Sequence, residues 1–265
     1  MKKRHFDKTA RIIENLEIRP NIFLMRLACP DICSYAQPGQ FCMVKSGLVQ
    51  GLDPLLRRPL SIHRCHRDTG EMEFLFRVVG RGTKALSMQT SGQEVELLGP
   101  LGKGFDLKPT QIPIIVGGGL GVAPLLFLAE TLSGKKGVAI LGAVTKGELL
   151  RLEPFKKTGL EILVATEDGS FGNKGLVTSV LERLLAKLDD RAARDVAVFA
   201  CGPHPMLRAV FSICNGYGVK CQVALETIMA CGSGLCLGCA VRSSGGYMHV
   251  CKDGPCFDAS RLLWE

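Results

Sequence analysis

Cys231, Cys236 and Cys239 stand in the segment MACGSGLCLGCAV as C-x4-C-x2-C, and Cys251 follows after eleven further residues. Thiolates in such a pattern hold metal. Three on one loop with a fourth apart is the plant-type spacing for a [2Fe-2S] cluster, whose two irons need four thiolates. Gly232, Gly234 and Gly238 are interleaved with the cysteines. Glycines let a loop turn tightly around a cluster and aim backbone N–H groups at the sulfurs. Cys251 is the expected fourth ligand and Cys256 the reserve. A structural zinc site of four cysteines is the plainer alternative, although such sites usually pair two short knuckles. Unmetallated thiols are a third reading.

A second group of residues suits phosphate. Arg57-Arg58-Pro59-Leu60-Ser61 is followed downstream by Gly80-Arg81-Gly82-Thr83, which opens a helical stretch. An arginine grips a diphosphate bidentately, and a helix start offers free amides to the same group. Taken singly, Arg-Arg is an ordinary surface pair and Gly-x-Gly-Thr an ordinary turn with a helix cap. Ile114-Ile115-Val116-Gly117-Gly118-Gly119-Leu120-Gly121 runs from strand to glycine turn to helix, with Gly119 and Gly121 as candidate contacts to a pyrophosphate. The third glycine of G-x-G-x-x-G is replaced by Val122 or Pro124, according to register. Thr145-Lys146 ends the next strand where a ribose-binding carboxylate would stand, so NADH and NADPH are not distinguished. Cys201 in Ala200-Cys201-Gly202-Pro203 is either a small buried thiol or a group beside a nicotinamide.

These residues must be positioned by elements the pattern also predicts. Strands are expected at Ala10 to Leu16, Ile22 to Leu27, Gln40 to Lys45, Pro59 to His66, Glu71 to Val79 and Glu94 to Leu98, with one helix at Thr83 to Gln89. Such a series describes an antiparallel six-stranded barrel. From Ile112 strands alternate with helices, at Ile112 to Val116, Val138 to Val144, Leu160 to Thr166, Val196 to Cys201 and Lys220 to Leu225, as a covered parallel sheet requires. Val177, Val180, Leu181, Leu184, Leu185 and Leu188 form one helical stripe within Lys174 to Leu188. The fold class is thus a β barrel plus α/β. Residues 1–108 form the barrel domain, 109–225 the nucleotide-binding domain, and 226–265 a cluster-binding segment too small for a core of its own.

The 265 residues, 46% hydrophobic and 22% charged, suit two ordinary domains with an appendage. The formal charge of +8 is scattered, with no basic run longer than Lys2-Lys3-Arg4, which argues against nucleic acid and for a solvated basic face. The stretch Ile112 to Leu132 is apolar enough for a membrane span, but Pro113, Pro124 and four glycines interrupt it. The N-terminus lacks the continuous apolar segment of a signal peptide, so a cytosolic location is expected. Twelve cysteines in the cytosol favour metal or redox roles over disulfides.

Arg57 to Ser61, Gly80 to Lys84, Gly99-Pro100-Leu101-Gly102, Gly117 to Pro124, Cys201-Gly202-Pro203, Met229 to Cys239 and Val250 to Pro255, in this order, resemble the ferredoxin reductase superfamily. The tail narrows the resemblance to the electron-transfer subunits of type B dihydroorotate dehydrogenases. That resemblance implies FAD on the barrel, NAD(H) on the second domain and a [2Fe-2S] cluster in the tail. Arg58 corresponds to the diphosphate arginine, Pro59, Leu60 and Ser61 lie along the flavin, and Leu75, Phe76 and Arg77 form the next flavin-contacting strand. Gly82 and Thr83 correspond to the phosphate-binding helix start. Leu60 stands where the superfamily often has an aromatic residue, and Cys256 where a hydrophobic residue is usual. The implied partner is an FMN-containing dihydroorotate dehydrogenase catalytic subunit, in a heterotetramer serving pyrimidine biosynthesis. Rival readings are a subunit serving ferredoxin, sulfide or hydrogenase chemistry, and a zinc-stapled module without redox activity.

Overall fold

The computed structural model describes residues 5–46, 53–108 and 112–264. The Lys2-Lys3-Arg4 run lies outside them, as do 109–111, where the second domain was expected to begin. Two compact units emerge. The first joins residues 1–104 to 226–241 and 248–255, and the second joins 105–225 to 242–247 and 256–265.

The first unit is built on β1 (Phe6–Arg19), β2 (Ile22–Ala28), β3 (Phe41–Ser46), β4 (Arg58–His66), β5 (Glu71–Arg77) and β6 (Glu94–Leu101). They close into a barrel in the order β1-β2-β5-β4-β3-β6, with antiparallel ladders. Closure leaves no unpaired edge. Met25, Leu27, Met43, Ile62, Met72, Phe74 and Phe76 are among its fully buried side chains. Two short helices accompany the strands. Helix α1 (Pro30–Tyr35) starts on a proline, whose fixed φ suits the first helical turn, and it escaped the sequence reading because six residues carry little periodicity. Helix α2 (Arg81–Ser87) begins two residues before the expected Thr83. The Asn15 amide holds its far end, donating to the carbonyls of Leu86 at 3.0 Å and Gln89 at 2.8 Å.

The second unit contains β7 (Ile112–Gly118), β8 (Val138–Ala143), β9 (Glu161–Thr166), β10 (Asn173–Lys174), β11 (Val196–Cys201) and β12 (Lys220–Ala224). These six pair in parallel. Every residue of β11 is buried, as expected of a central strand covered on both faces. Its helices are α3 (Leu125–Thr131), α4 (Leu152–Lys156), α5 (Val177–Leu185), α6 (Asp190–Asp195) and α7 (His204–Gly216). Helix α5 carries the predicted stripe, burying Val177, Val180, Leu181 and Leu185.

The tail adds β13 (Ala240–Ser243) and β14 (Gly246–His249), which pair with each other, then α8 (Val250–Asp253) and β15 (Cys256–Asp258). Strand β15 extends the sheet antiparallel to β12, setting Cys256 opposite Ala224 and Phe257 opposite Val223. The seven-stranded order is therefore β10-β9-β8-β7-β11-β12-β15. Trp264 donates to the Ala259 carbonyl at 2.9 Å and stacks on Phe211 of α7, tying the chain end to the same unit. Among the described residues no helix is long and apolar enough to cross a membrane.

Candidate functional site

In the first unit the cysteine loop between Met229 and Cys239 wraps itself around sulfur. Gly232 at φ +68° and Gly234 at +82° make the turns that a side chain resists. The amides of Ser233 and Cys236 both donate to Cys231 Sγ, each at 3.4 Å. On the other side, Cys239 and Cys251 bring their sulfurs to 3.2 Å, and the Cys251 amide donates to Cys239 Sγ at 3.4 Å. The Gly234 amide also reaches Cys251. Cys239 and Cys251 are buried, whereas Cys231 is half-buried and Cys236 exposed.

The electrostatics follow from these contacts. Burial opposes the Cys231 thiolate, but the amides of Cys236 and Ser233 and the Cys236 thiol outweigh it and bring the pKa down to about 5 from an ordinary 9.0. Cys251 is pushed up to about 12, by burial first and then by its hydrogen bond with Cys239. Metal binding at this pair must release protons. Among the described residues no three His, Cys, Asp or Glu side chains converge as ligands of a single ion. The thiols stand instead in two pairs, Cys231 with Cys236 and Cys239 with Cys251. Two such pairs would supply two thiolates to each of two irons, and the amides directed at sulfur would form the outer shell of such a cluster. The donor set thus fits a [2Fe-2S] group. Cys256 belongs to the second unit, where it is buried in β15 near Cys201.

The predicted flavin residues gather on β4, β5 and the start of α2. Arg58 opens β4, and Gly82 leaves room for its guanidinium: a Cβ on Gly82 would collide with Arg58 Nε. The arginine and the helix start, separate in sequence, are therefore neighbours. Arg58 donates to the carbonyls of Leu56 and Arg57, with no carboxylate partner among the described residues. Arg57, by contrast, is held by Asp7 at 2.8 Å and Glu96 at 3.1 Å. Thr83 is buried, and its hydroxyl accepts the amides of Val79 at 2.9 Å and Gly80 at 3.2 Å, shaping the loop that leads into the helix. Leu60 is buried opposite Cys42, while Pro59 and Ser61, half-buried, face Met43 and Phe41. By strand alternation Arg58 and Leu60 share one face and Pro59 and Ser61 the other. On β5, Leu75 and Phe76 are buried and Arg77 is exposed, and Phe76 stacks on Phe23 with ring centroids 5.7 Å apart. With Ile62 opposite Phe74, the register runs the two segments toward the same end of the ladder.

In the second unit the sheet order reverses at β7, with β8 on one side and β11 on the other. Ligands of open α/β sheets bind at such a switch point, beyond the carboxyl ends of the strands. Gly119 lies there at φ +56°, with open space where a side chain would be. Gly121 is different: a Cβ on it would strike the backbone of Cys201 and Gly202. A short 3-10 turn at Gly119–Val122 separates β7 from α3. Cys201 is buried at the end of β11. Lys146 donates its amide to Ser170 Oγ at 2.8 Å, and its ammonium stands 5.4 Å from the Phe171 ring centroid.

Some residues that shape the site had no assigned role in the sequence reading. Gly102 packs against Gly254 and Pro255, and the Lys103 amide donates to the Gly254 carbonyl, fastening the cluster segment to the barrel. Gly99-Pro100-Leu101-Gly102 was legible as a motif, without its partner.

Residues 226–263 match the iron-sulfur cluster binding domain of dihydroorotate dehydrogenase B. The chain is 38% identical to the dihydroorotate dehydrogenase B (NAD(+)) electron transfer subunit of Desulforamulus reducens, covering 97% of this chain and 98% of that one. It is 40% identical to the same subunit of Caldanaerobacter subterraneus subsp. tengcongensis, over 96% and 98%. Among solved structures it is similar to an NADH-dependent reduced ferredoxin-NADP oxidoreductase, with a TM-score of 0.84, 29% identity and coverage of 96% and 90%. A ferredoxin reductase of carbazole 1,9a-dioxygenase shares the fold at a TM-score of 0.69 and 21% identity, over 83% and 68%. With paired thiols in a matched iron-sulfur segment and near full-length likeness to these relatives, the chain belongs to the family of dihydroorotate dehydrogenase B (NAD(+)) electron transfer subunits.

Proposed function

We propose that this chain carries electrons between NAD(H) and an FMN-containing dihydroorotate dehydrogenase catalytic subunit, using FAD on the barrel and a [2Fe-2S] cluster at Cys231, Cys236, Cys239 and Cys251. The observation that carries the reading is the arrangement of these four thiols in two pairs with backbone amides directed at sulfur. When bound, the flavin links the two-electron chemistry of the nicotinamide to the one-electron chemistry of the cluster.

The chain's own residues have distinct tasks. Arg58 and the Gly82-Thr83 helix start hold the diphosphate, the arginine having no carboxylate partner among the described residues. Pro59, Leu60 and Ser61, with Leu75, Phe76 and Arg77, orient the flavin ring system. Gly119 gives a pyrophosphate access to the switch point, and Gly121 keeps that turn packed against Cys201. Residues 1–108, 109–225 and 226–265 divide these tasks as flavin, nucleotide and cluster segments.

The partner docks over the cluster loop. Ile228 is 93% exposed and Leu235 84%, with Leu237 also exposed, so the loop beside Cys236 presents an apolar surface next to the exposed thiol. Such patches mark interfaces. A heterotetramer of two such pairs is the assembly we infer. Anaerobic purification tests the cofactor content: iron and acid-labile sulfide at about two each per chain, together with FAD and NADH oxidation by ferricyanide. Zinc in place of iron and sulfide would contradict the reading.

A further inference from the structure

Within the first unit one side chain both meets the cluster loop and neighbours the expected flavin strand. Met43 of β3 is 1% exposed. On one side it meets the cluster loop at Gly232, the residue after the first cysteine, where a Cβ would fall 2.5 Å from Met43 Cγ and 2.8 Å from its Sδ. On the other side its cross-strand neighbour in β4 is Pro59, and two residues along β3 Phe41 faces Ser61. Directly opposed residues of an antiparallel ladder project from the same face. Met43 and Pro59 are thus side by side, and the loop rests on the Met43 side chain. The contact is backed by Leu101 of β6, whose Cδ1 lies 3.3 Å from the same Cβ position. Gly232 also sits at φ +68°, so both its conformation and its neighbours exclude a larger residue.

We propose that Met43 is a positioning residue for electron transfer within this chain, setting the separation between the cluster loop and the flavin strand through its contacts with Gly232 and Pro59. The inference rests on the reading that FAD lies along β4 and the cluster at the four cysteines. A close-packed interior transmits small shifts instead of absorbing them, and electron tunnelling falls steeply with separation. A group inserted at this joint therefore acts on the transfer step itself.

The test uses the full chain with both cofactors bound. Gly232→Ala widens the joint, and Met43→Ala removes side-chain atoms from the barrel side while leaving the loop sequence intact. Two quantities are read: the rate of cluster reduction after mixing with NADH, referenced to flavin reduction in the same trace, and the magnetic coupling between flavin and cluster signals in the electron paramagnetic resonance of partly reduced protein. Gly232→Ala should slow the transfer several-fold and weaken the coupling, with iron, sulfide and FAD contents retained. Met43→Ala should also change both quantities, and in the Gly232→Ala background it should recover part of the loss. If alanine at position 232 costs the loop its cluster, Met43→Ala alone decides. Unchanged transfer and unchanged coupling in cofactor-replete Met43→Ala would overturn the proposal. Wild-type protein without FAD or without the cluster would instead overturn the reading beneath it.

Discussion

Arg57 and Arg58 are adjacent and chemically identical, yet the fold gives them different surroundings. Arg57 is engaged by two carboxylates, Asp7 of β1 and Glu96 of β6, whereas Arg58 lies over Gly82 at the start of α2 and, among the described residues, donates to the backbone carbonyls of Leu56 and Arg57. Arg58→Ala should therefore weaken FAD binding by about 1.5–3 kcal/mol, the usual range for a lost hydrogen bond to a charged group. Arg57→Ala removes half-exposed ion pairs, which contribute about 1 kcal/mol or less to stability, and should leave FAD affinity nearly unchanged. Titration of the apoprotein with FAD, followed by flavin fluorescence, distinguishes the two. Loss of affinity in the Arg57 variant alone would shift the flavin strand by one residue and turn it to its other face. The sequence could nominate the pair but not choose within it, because the acidic residues that occupy Arg57 come from strands at either end of the barrel sequence. The cysteines say more by spacing: C-x4-C-x2-C nominates three ligands, while the proposed choice of Cys251 over Cys256 rests on the 3.2 Å approach of the Cys251 and Cys239 sulfurs and on Cys256 lying in the second unit.

At the scale of elements, legibility followed length. The barrel strands and α5 were readable because alternation or a helical stripe runs through enough residues to be distinctive. Helix α1, β10 and β15 escaped because two to six residues hold too little pattern. Strand β15 matters most, because it makes the end of the cluster segment part of the second unit's sheet. Phe257 is its anchor, 3% exposed and opposite Val223. Replacing it with alanine leaves a cavity beside the last ladder of the sheet, between β12 and β15, and Phe→Ala changes in cores cost about 3–5 kcal/mol. Chemical denaturation of Phe257→Ala should show a loss of that order. A loss below 1 kcal/mol would mean that β15 contributes little and that the tail is held elsewhere. The turn after β7 also had an unreadable feature: Gly121 looks like a ligand-facing glycine in sequence, but only its proximity to Cys201 explains why a side chain has no room there.

For the whole molecule, the three stations of the proposed path were legible in their order along the chain, but not in how the tail divides between the two units. That division follows from pairings across long stretches of sequence, Gly254 with Lys103 in one unit and Phe257 with Val223 in the other. In the proposed path the cluster cysteines connect the flavin to a partner, and this chain alone oxidises no carbon substrate. The direct test mixes the chain with an FMN-containing dihydroorotate dehydrogenase from the same organism and follows dihydroorotate-dependent reduction of NAD. The intact chain should support this turnover only in the mixture. Cys251→Ser should abolish it while largely sparing direct NADH oxidation by ferricyanide, and Cys256→Ser should leave both activities in place. Dihydroorotate oxidation by the chain alone, or NAD-linked turnover that survives in a cluster-free Cys251→Ser protein, would contradict this division of labour.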